Sequence, residues 1–419
     1  MSTTTPSSQF EPLAAPPGEP ETAQDVVQAL SDWIIECGLS GSDLVALIGG
    51  LCERLLALDL PLQRGHVSMA ALHPSFEAFG CTWRRGEGVQ SEVFEHGSDT
   101  QAQWRASPLH HMIERGQTRM RRRLDGPDAK VDFPVLREFR EQGGSDWLAL
   151  LLRFGNASQT INLPGMVISW VADRPGGFTE QEVALIERLA PRLGLACYRI
   201  ALQQVAEGLL DAYVGADAGQ RILRGQIQRG AAERLSAAIF FADLRGFTGV
   251  ADRLPGERLL AMLNDRLGAI TDAVEAHGGQ VLKFLGDGLL GVFSLEGRPV
   301  AEVCGAALAA AEDALAANAV LQRRHGPMEG DALELDIALH LGEVLYGNVG
   351  SKRRLDFTVI GPAVNEVSRI ETLCATLGRN LLLSERFARA CGREVEPLGE
   401  HRLRGVAQPQ ALFTLATKA

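Results

Sequence analysis

The sequence lacks the features that mark several common classes of protein. No run of about 18 apolar residues occurs, so no membrane-spanning helix is expected. The seven cysteines are odd in number and include no Cys-x-x-Cys pair, which favours free thiols in a reducing, cytoplasmic compartment. Basic residues are outnumbered by acidic ones. The net charge of −11 therefore argues against a protein that binds nucleic acid or an anionic membrane.

The first 25 residues also lack the basic start and apolar core of a secretory signal. They are rich in Ser, Thr, Pro and Glu, so residues 1–25 are expected to form a disordered tail. The chain of 419 residues is long enough for two domains with separate apolar cores.

Residues 26–205 have the pattern of an α+β unit. Helical periodicity over 26–59 is followed, from about 64 to 172, by short apolar runs between polar turns. Thr179 and Glu182 form a capping-box pattern at the start of a long helix, in which Pro191 should produce a kink. The basic run at 119–123 is expected to be a solvated face.

This order of elements, with Gly-Phe-Thr before the terminal helix, resembles a GAF domain. The resemblance implies a sensory or regulatory module that receives a small-molecule or protein signal. A PAS-like sensor is the alternative, and the sequence does not name the signal. Residues 206–234 are polar and Gly-punctuated, which indicates a linker that couples this unit to the next.

Residues 235–419 predict a second α+β domain. The order β-α-β-β-α-β is that of a ferredoxin-like unit. Asp-Gly between two apolar runs is a strong hairpin signal. The predicted strands are 237–242, 280–285, 289–293, 333–341, 344–349 and 355–360, and the predicted helices are 256–276, 301–323 and one opened by Pro362.

Two aspartates in this domain follow apolar, strand-like runs. Asp243 ends the first run, and Asp287 lies in the Gly-Asp-Gly turn of the hairpin. Two carboxylates on neighbouring strands can share divalent ions, and Mg²⁺ favours few protein carboxylates with water and phosphate completing its shell. Phe247 and Thr248 would start a helix whose free N–H groups can face phosphate.

Two further polar residues lie on the helix opened by Pro362. Asn365 and Arg369 are four residues apart, which places them on one helix face. An amide and a guanidinium there can both address one phosphate, and Arg supplies charge-assisted donors to developing negative charge.

Together these blocks resemble the catalytic domain of class III nucleotidyl cyclases. The similar segments are 241–248, 283–288, 340–343, 347–350 and 356–369. The resemblance implies attack of the ribose 3′-oxygen on the α-phosphorus, releasing pyrophosphate. It implies that Asp243, Leu244 and Asp287 bind two Mg²⁺ or Mn²⁺ ions, that Phe247, Thr248, Lys283, Asp356 and Arg404 bind substrate, and that Asn365 orients the ribose while Arg369 stabilises the transition state.

The residues at the base-reading positions favour ATP. A Lys283 donor suits the adenine N1 acceptor, and an Asp356 acceptor suits the exocyclic amine. Guanine reverses both demands, and buried polar groups left unpaired are strongly penalised. One departure from the family is Arg404, which stands where a Lys usually holds the terminal phosphates; Arg keeps the charge but is not equivalent.

The chain has one such domain, whereas the family builds its site between two. The resemblance thus implies a homodimer in which one protomer supplies the metal aspartates and the other the remaining site residues. The alternatives are a guanylate cyclase and a nucleotide-binding sensor or scaffold without catalysis. A diguanylate cyclase would need a Gly-Gly-Asp/Glu-Glu-Phe run, which is absent.

Overall fold

A computed structural model describes residues 23–97, 101–154, 163–325, 333–406 and 408–416. The chain divides into two compact units, Met1–Leu209 and Leu210–Ala419. Both units mix helices with a sheet, which confirms the predicted α+β class. The predicted tail lies almost entirely outside the described residues. Within the described ranges, no helix is both long enough and apolar enough to cross a bilayer.

The first unit is a six-stranded antiparallel sheet with helices on both faces. The sheet order is β3-β2-β1-β6-β5-β4. The elements are α1 (Ala23–Ser40), α2 (Leu44–Ala57), β1 (Leu62–Ala70), β2 (Phe76–Arg84), β3 (Gly88–Glu95), α3 (Gln101–Arg105), α4 (Pro108–Glu114), β4 (Arg119–Arg123), α5 (Pro134–Glu141), β5 (Asp146–Arg153), β6 (Gly165–Ala172) and α6 (Glu180–Val214), which continues into the second unit.

Alternation along the strands separates two cores in this unit. Val67 and Met69 of β1 face the larger core, which they share with α1, α2 and α6. The opposite face carries a smaller core around Trp147, with Met112 of α4 and Leu136 of α5. The resemblance to a GAF domain stays a prediction.

Local signals at the start of α6 act as predicted. The Thr179 N–H donates to Glu182 Oε2 at 2.7 Å, and the Glu182 N–H donates to Thr179 Oγ1 at 3.2 Å. The helix continues through Pro191. The basic run forms edge strand β4, where Arg121 and Arg123 pair with the buried carboxylate of Asp146, so part of that run is structural.

The second unit is built on an eight-stranded sheet. Its order is β13-β14-β12-β10-β7-β9-β8, with β11 pairing to β10. The elements after α6 are α7 (Ala216–Leu223), β7 (Ala232–Arg245), α8 (Phe247–Ala251), α9 (Gly256–Ala276), β8 (Gln280–Leu285), β9 (Gly288–Ser294), α10 (Val300–His325), β10 (Glu334–Gly350), β11 (Leu355–Ile360), α11 (Pro362–Glu371), α12 (Cys374–Leu377), β12 (Leu381–Ser384), α13 (Glu385–Ala390), β13 (Val395–His401) and β14 (Gln410–Leu415).

The order β7-α9-β8-β9-α10-β10 confirms the predicted β-α-β-β-α-β unit. Helices α9 and α10 pack on one face of the sheet around Phe240 and Phe293. Helix α11 packs on the other face through Val367 and Ile370. Strands β7 and β10 run antiparallel at the centre, and their register places Asp243 opposite Asp336.

The prediction of two strands at 333–341 and 344–349 is wrong, because β10 is one strand of 17 residues. Gly342, which lies between the two predicted strands, stays paired with Ala237 of β7. A Cβ at Gly342 would lie 2.6 Å from Ala363 Cβ, so the glycine permits close packing of α11. The segment predicted as a linker contains the end of α6, all of α7 and the first residues of β7.

Candidate active site

The first predicted metal ligand, Asp243, lies near the end of β7. The strand is followed by Gly246, whose φ of +90° is a left-handed conformation that glycine adopts without strain. This turn redirects the chain into the short helix α8. Asp243 is therefore held by a paired strand on one side and a tight turn on the other.

Asp287 occupies the turn between β8 and β9, on the neighbouring strand pair. Ala242 pairs with Leu289, which brings Gly288 beside Asp243. A Cβ at Gly288 would lie 2.7 Å from Asp243 Oδ1, so a side chain there would collide with the carboxylate. The hairpin thus places the two predicted aspartates at one end of adjacent strands.

Two further carboxylates lie close to this pair. Asp336 faces Asp243 across the ladder, and Glu371 ends helix α11. Burial, reinforced by Asp287 and Asp336, raises the pKa of Asp243 to about 6. Burial, reinforced by Asp243 and Asp336, raises the pKa of Glu371 to about 7. Four carboxyl groups therefore lie close together in a site that is partly shielded from water.

One cation offsets part of this charge. Arg245 Nε donates to Asp336 Oδ2 at 2.7 Å, and Arg245 Nη1 lies 2.9 Å from Glu334 Oε2. Asp336 is only 3% exposed, and this ion pair, together with the Asn380 amide that donates to Asp336 Oδ1 at 2.9 Å, satisfies its buried carboxylate. Asp243 and Asp287 form no ion pair within the part of the chain that the structure describes.

The donor set fits a divalent cation. Carboxylate oxygens are the ligands that Mg²⁺ and Mn²⁺ prefer, and raised carboxyl pKa values show charge that a cation would neutralise. Among the described residues, no group of three or more His, Cys, Asp or Glu side chains converges into a preassembled metal site. A metal here would need oxygens from water or phosphate, as Mg²⁺ sites commonly do.

The other residues predicted around the aspartates differ in their surroundings. The Leu244 side chain is buried in the core beneath the sheet, so only its backbone is available to a ligand. The Leu244 backbone favours the ionised form of Asp243 and so opposes the rise in its pKa. Phe247 begins α8 and is half-buried, whereas Thr248 beside it is exposed.

The two predicted base-reading residues meet each other. Lys283 on β8 and Asp356 on β11 form an ion pair with Nζ 2.8 Å from Oδ2. This partner lowers the pKa of Asp356 below its ordinary value. Both side chains are more than 40% exposed, at 44% and 42%, so they remain available to a ligand.

The predicted phosphate-binding arginines also lie together. A Cβ at Gly405 would lie 3.5 Å from Arg369 Nη1, which places the guanidinium beside the turn that carries Arg404. Across the described ranges, Arg369 and Arg404 form no ion pair, and the Asn365 side chain forms no hydrogen bond. Asn365 is exposed on the same helix face as Arg369.

Helix α11 presents its polar residues in two directions. Successive residues on an α-helix are separated by about 100°, so Arg369 lies about 200° around the axis from Glu371. Glu371 is buried and interacts with Asp243 and Asp287. Asn365 and Arg369 therefore face away from the aspartates of their own chain.

Sequence reasoning missed three charged residues around these aspartates: the carboxylates Asp336 and Glu371, and the cation Arg245. Asp336 interrupts an apolar run between Leu335 and Ile337, which is a weak signal of a buried, paired carboxylate. Glu371 follows Ile370 directly and carries no pattern that separates it from an ordinary helix terminus.

Comparison with known proteins finds a family that matches the segment containing these residues. Residues 231–416 match the family described as "Adenylate and Guanylate cyclase catalytic domain", which confirms the resemblance there. An adenylate cyclase of Anabaena cylindrica is 32% identical over 163 residues, 39% of this chain and 32% of that protein. Adenylate cyclase 1 of Rhizobium meliloti (strain 1021) is 32% identical over 183 residues, 42% of this chain and 26% of that protein.

A solved structure of the adenylyl cyclase CyaB from P. aeruginosa aligns with a TM-score of 0.41 and 24% identity, covering 45% of this chain and 97% of that one. The chain spans about a third or less of the length of the two curated relatives, 32% and 26%.

Proposed function

We propose that this protein, whose residues 231–416 carry an adenylate and guanylate cyclase catalytic domain, converts ATP to 3′,5′-cyclic AMP and pyrophosphate. The ribose 3′-oxygen would attack the α-phosphorus while the bond from that phosphorus to the bridging oxygen of the leaving pyrophosphate breaks. Water would accept the 3′-hydroxyl proton, because the sequence motifs do not demand a separate general-base residue.

The observation that carries this proposal is the charge around Asp243. Its carboxylate shares a partly dehydrated place with Asp287, Asp336 and Glu371, and Arg245 compensates only part of the charge. Asp243 and Asp287 would hold two Mg²⁺ or Mn²⁺ ions, which supply activation of the 3′-hydroxyl and neutralisation of phosphate charge. Asp336 and Glu371 would not bind the metal themselves. They would make the electrostatic potential at Asp243 and Asp287 more negative.

ATP is the substrate we propose rather than GTP. The Lys283 ammonium and Asp356 carboxylate already lie 2.8 Å apart, so one base edge can meet both. Adenine offers an acceptor at N1 beside a donor at its amine. Lys283 would donate to the first, and Asp356 would accept from the second.

The remaining roles require a second copy of the chain. Asn365 and Arg369 face away from their own aspartates, so the partner subunit must supply them to a shared site. Exposed apolar residues on the outer strands support such an interface, because Phe284 and Leu285 on β8 are 52% and 40% exposed. In this homodimer Arg369 and Arg404 would hold the phosphates, and Asn365 would orient the ribose. Lys283 and Asp356 would come from that same partner, while Phe247 and Thr248 would address the phosphates beside the metal.

Regulation by the first unit completes the proposal. We expect the GAF-like or PAS-like unit to alter cyclase activity in response to a signal, with α6 linking the two units in sequence.

The seven cysteines are all free, which supports a cytoplasmic setting.

The test is chromatography of the products formed from ATP and Mn²⁺. Wild-type protein should form cyclic AMP and pyrophosphate, with little cyclic GMP from GTP. Asp243→Asn should abolish both products, whereas Asp125→Asn, an exposed aspartate of the first unit, should not. Cyclic GMP as the main product would favour a guanylate cyclase, and no product from folded dimers would favour a scaffold.

A further inference from the structure

The first unit contains a large cavity on one face of its sheet. Its volume is about 1280 Å³, enough for a small organic molecule. Strands β1, β2 and β6 form its floor, and helices α3, α4 and α5 contribute to its walls.

Two small side chains on β1, Ser68 and Ala70, leave space above the floor of the cavity. His66, Ser68 and Ala70 of β1 line the cavity, while the residues between them face the core. Their cross-strand neighbours on this face are also small: Ala78 pairs with Ala70, and Ser169 pairs with His66. The walls supply apolar area from Phe94, Trp104, Ile113, Phe139 and Met166.

Arg64 lies on the floor of this cavity, whereas Arg105, Arg153, Glu77 and Glu138 line other parts of it. Arg64 Nη2 donates to Thr82 Oγ1 at 3.2 Å, and its Cζ lies 5.1 Å from the ring centre of Phe139. Arg64 Nε is buried and has no hydrogen-bond partner among the described residues. No carboxylate within the described ranges lies at ion-pair distance from Arg64; Glu92 reaches it only through Thr82, whose Oγ1 donates to Glu92 Oε1 at 2.5 Å.

The charged form of this arginine is consequently destabilised. Burial, reinforced by Arg84 and opposed by Glu92, lowers the pKa of Arg64 to about 10. His66 beside it is neutral, because burial and the two arginines lower its pKa to about 3. Its Nδ1 lies 2.9 Å from Thr82 Oγ1, which orients the ring. An unpaired buried cation with a spare donor is stabilised when an anion binds.

We infer that this cavity binds an amphipathic organic anion, with an aromatic or aliphatic body against the apolar walls and one carboxylate, phosphate or sulfonate group on Arg64. The inference concerns binding by the first unit and stands whether or not the second unit is a cyclase.

The test uses two fluorescent probes that differ by one sulfonate group. The full chain is titrated with 8-anilinonaphthalene-1-sulfonate and, separately, with the neutral N-phenyl-1-naphthylamine. Arg64→Gln should weaken binding of the sulfonate by about 10-fold or more, since a charge-assisted hydrogen bond is lost. Binding of the neutral probe should change by less than about twofold, which also shows that the variant is folded.

Matched variants complete the design. Arg64→Lys keeps the charge and should retain part of the sulfonate affinity. Arg54→Gln removes an arginine that stacks on Trp33 in the same unit but outside the cavity, and should bind both probes normally. Ala70→Trp should fill the floor and exclude both probes. Unchanged sulfonate binding in Arg64→Gln, equal loss in Arg54→Gln, or undiminished binding of both probes by Ala70→Trp would overturn the inference.

Discussion

Replacing Glu371 by glutamine should stabilise the metal-free protein at alkaline pH. Glu371 is 8% exposed, and its pKa is raised from 4.5 to about 7, first by burial and then by Asp243 and Asp336. Between these values the folded state holds a proton that the unfolded state has lost, so the free energy of unfolding falls as pH rises through this window. At about 1.4 kcal/mol per pKa unit, the loss approaches about 3 kcal/mol above pH 7.

Glutamine stays uncharged, so Glu371→Gln removes this penalty. The variant should match the parent at pH 5 and exceed its free energy of unfolding by about 3 kcal/mol at pH 8. The assay is urea denaturation in EDTA, followed by circular dichroism. Tryptophan fluorescence identifies unfolding of the first unit, because all five tryptophans lie before residue 210. The control is Glu275→Gln, an exposed glutamate of α9, which should change stability equally at both pH values. An equal effect of Glu371→Gln at pH 5 and pH 8 would refute the reasoning.

Three other substitutions test neighbouring parts of the site. Arg245→Gln removes the counter-charge of the buried Asp336, which keeps only the neutral Asn380 amide as a donor, and should lower the free energy of unfolding by about 3 kcal/mol in urea at pH 8. Lys283→Glu should lower kcat/KM for ATP by about 100-fold and that for GTP much less, as read from the ratio of cyclic products; an unchanged ratio would contradict base reading by Lys283. Gly288→Ala places a Cβ 2.3 Å from the Ala242 carbonyl oxygen and 2.7 Å from Asp243 Oδ1, so the end of β7 that carries Asp243 must shift; cyclic AMP formation should be abolished while the far-ultraviolet circular dichroism spectrum is kept.

The elements that sequence patterns predicted well are those set by local signals. Helix α9 runs from Gly256 to Ala276 as predicted, because an apolar stripe ends at a glycine pair. The hairpin of β8 and β9 was predicted from Asp-Gly between apolar runs. The capping box at Thr179 was likewise visible in four consecutive residues.

Features that depend on distant pairing could not be predicted in this way. Arg245 and Asp336 are 91 residues apart, and only the antiparallel register of β7 and β10 brings them together. The cavity around Arg64 depends equally on small residues from three strands lying on one face. The sequence alone also does not distinguish a glycine that breaks a strand from one, such as Gly342, that admits a neighbouring helix.

The central claim is that the aspartates of one protomer and the Asn365–Arg369 face of another act on a single nucleotide. Mixing Asp287→Ala chains with Asn365→Ala chains, each inactive alone, tests it most directly by the rate of cyclic AMP formation. Random pairing makes half of the dimers mixed, each with one intact site of two, so activity should return to about a quarter of the wild-type rate per chain. A mixture that forms mixed dimers and yet makes no cyclic AMP would contradict the account.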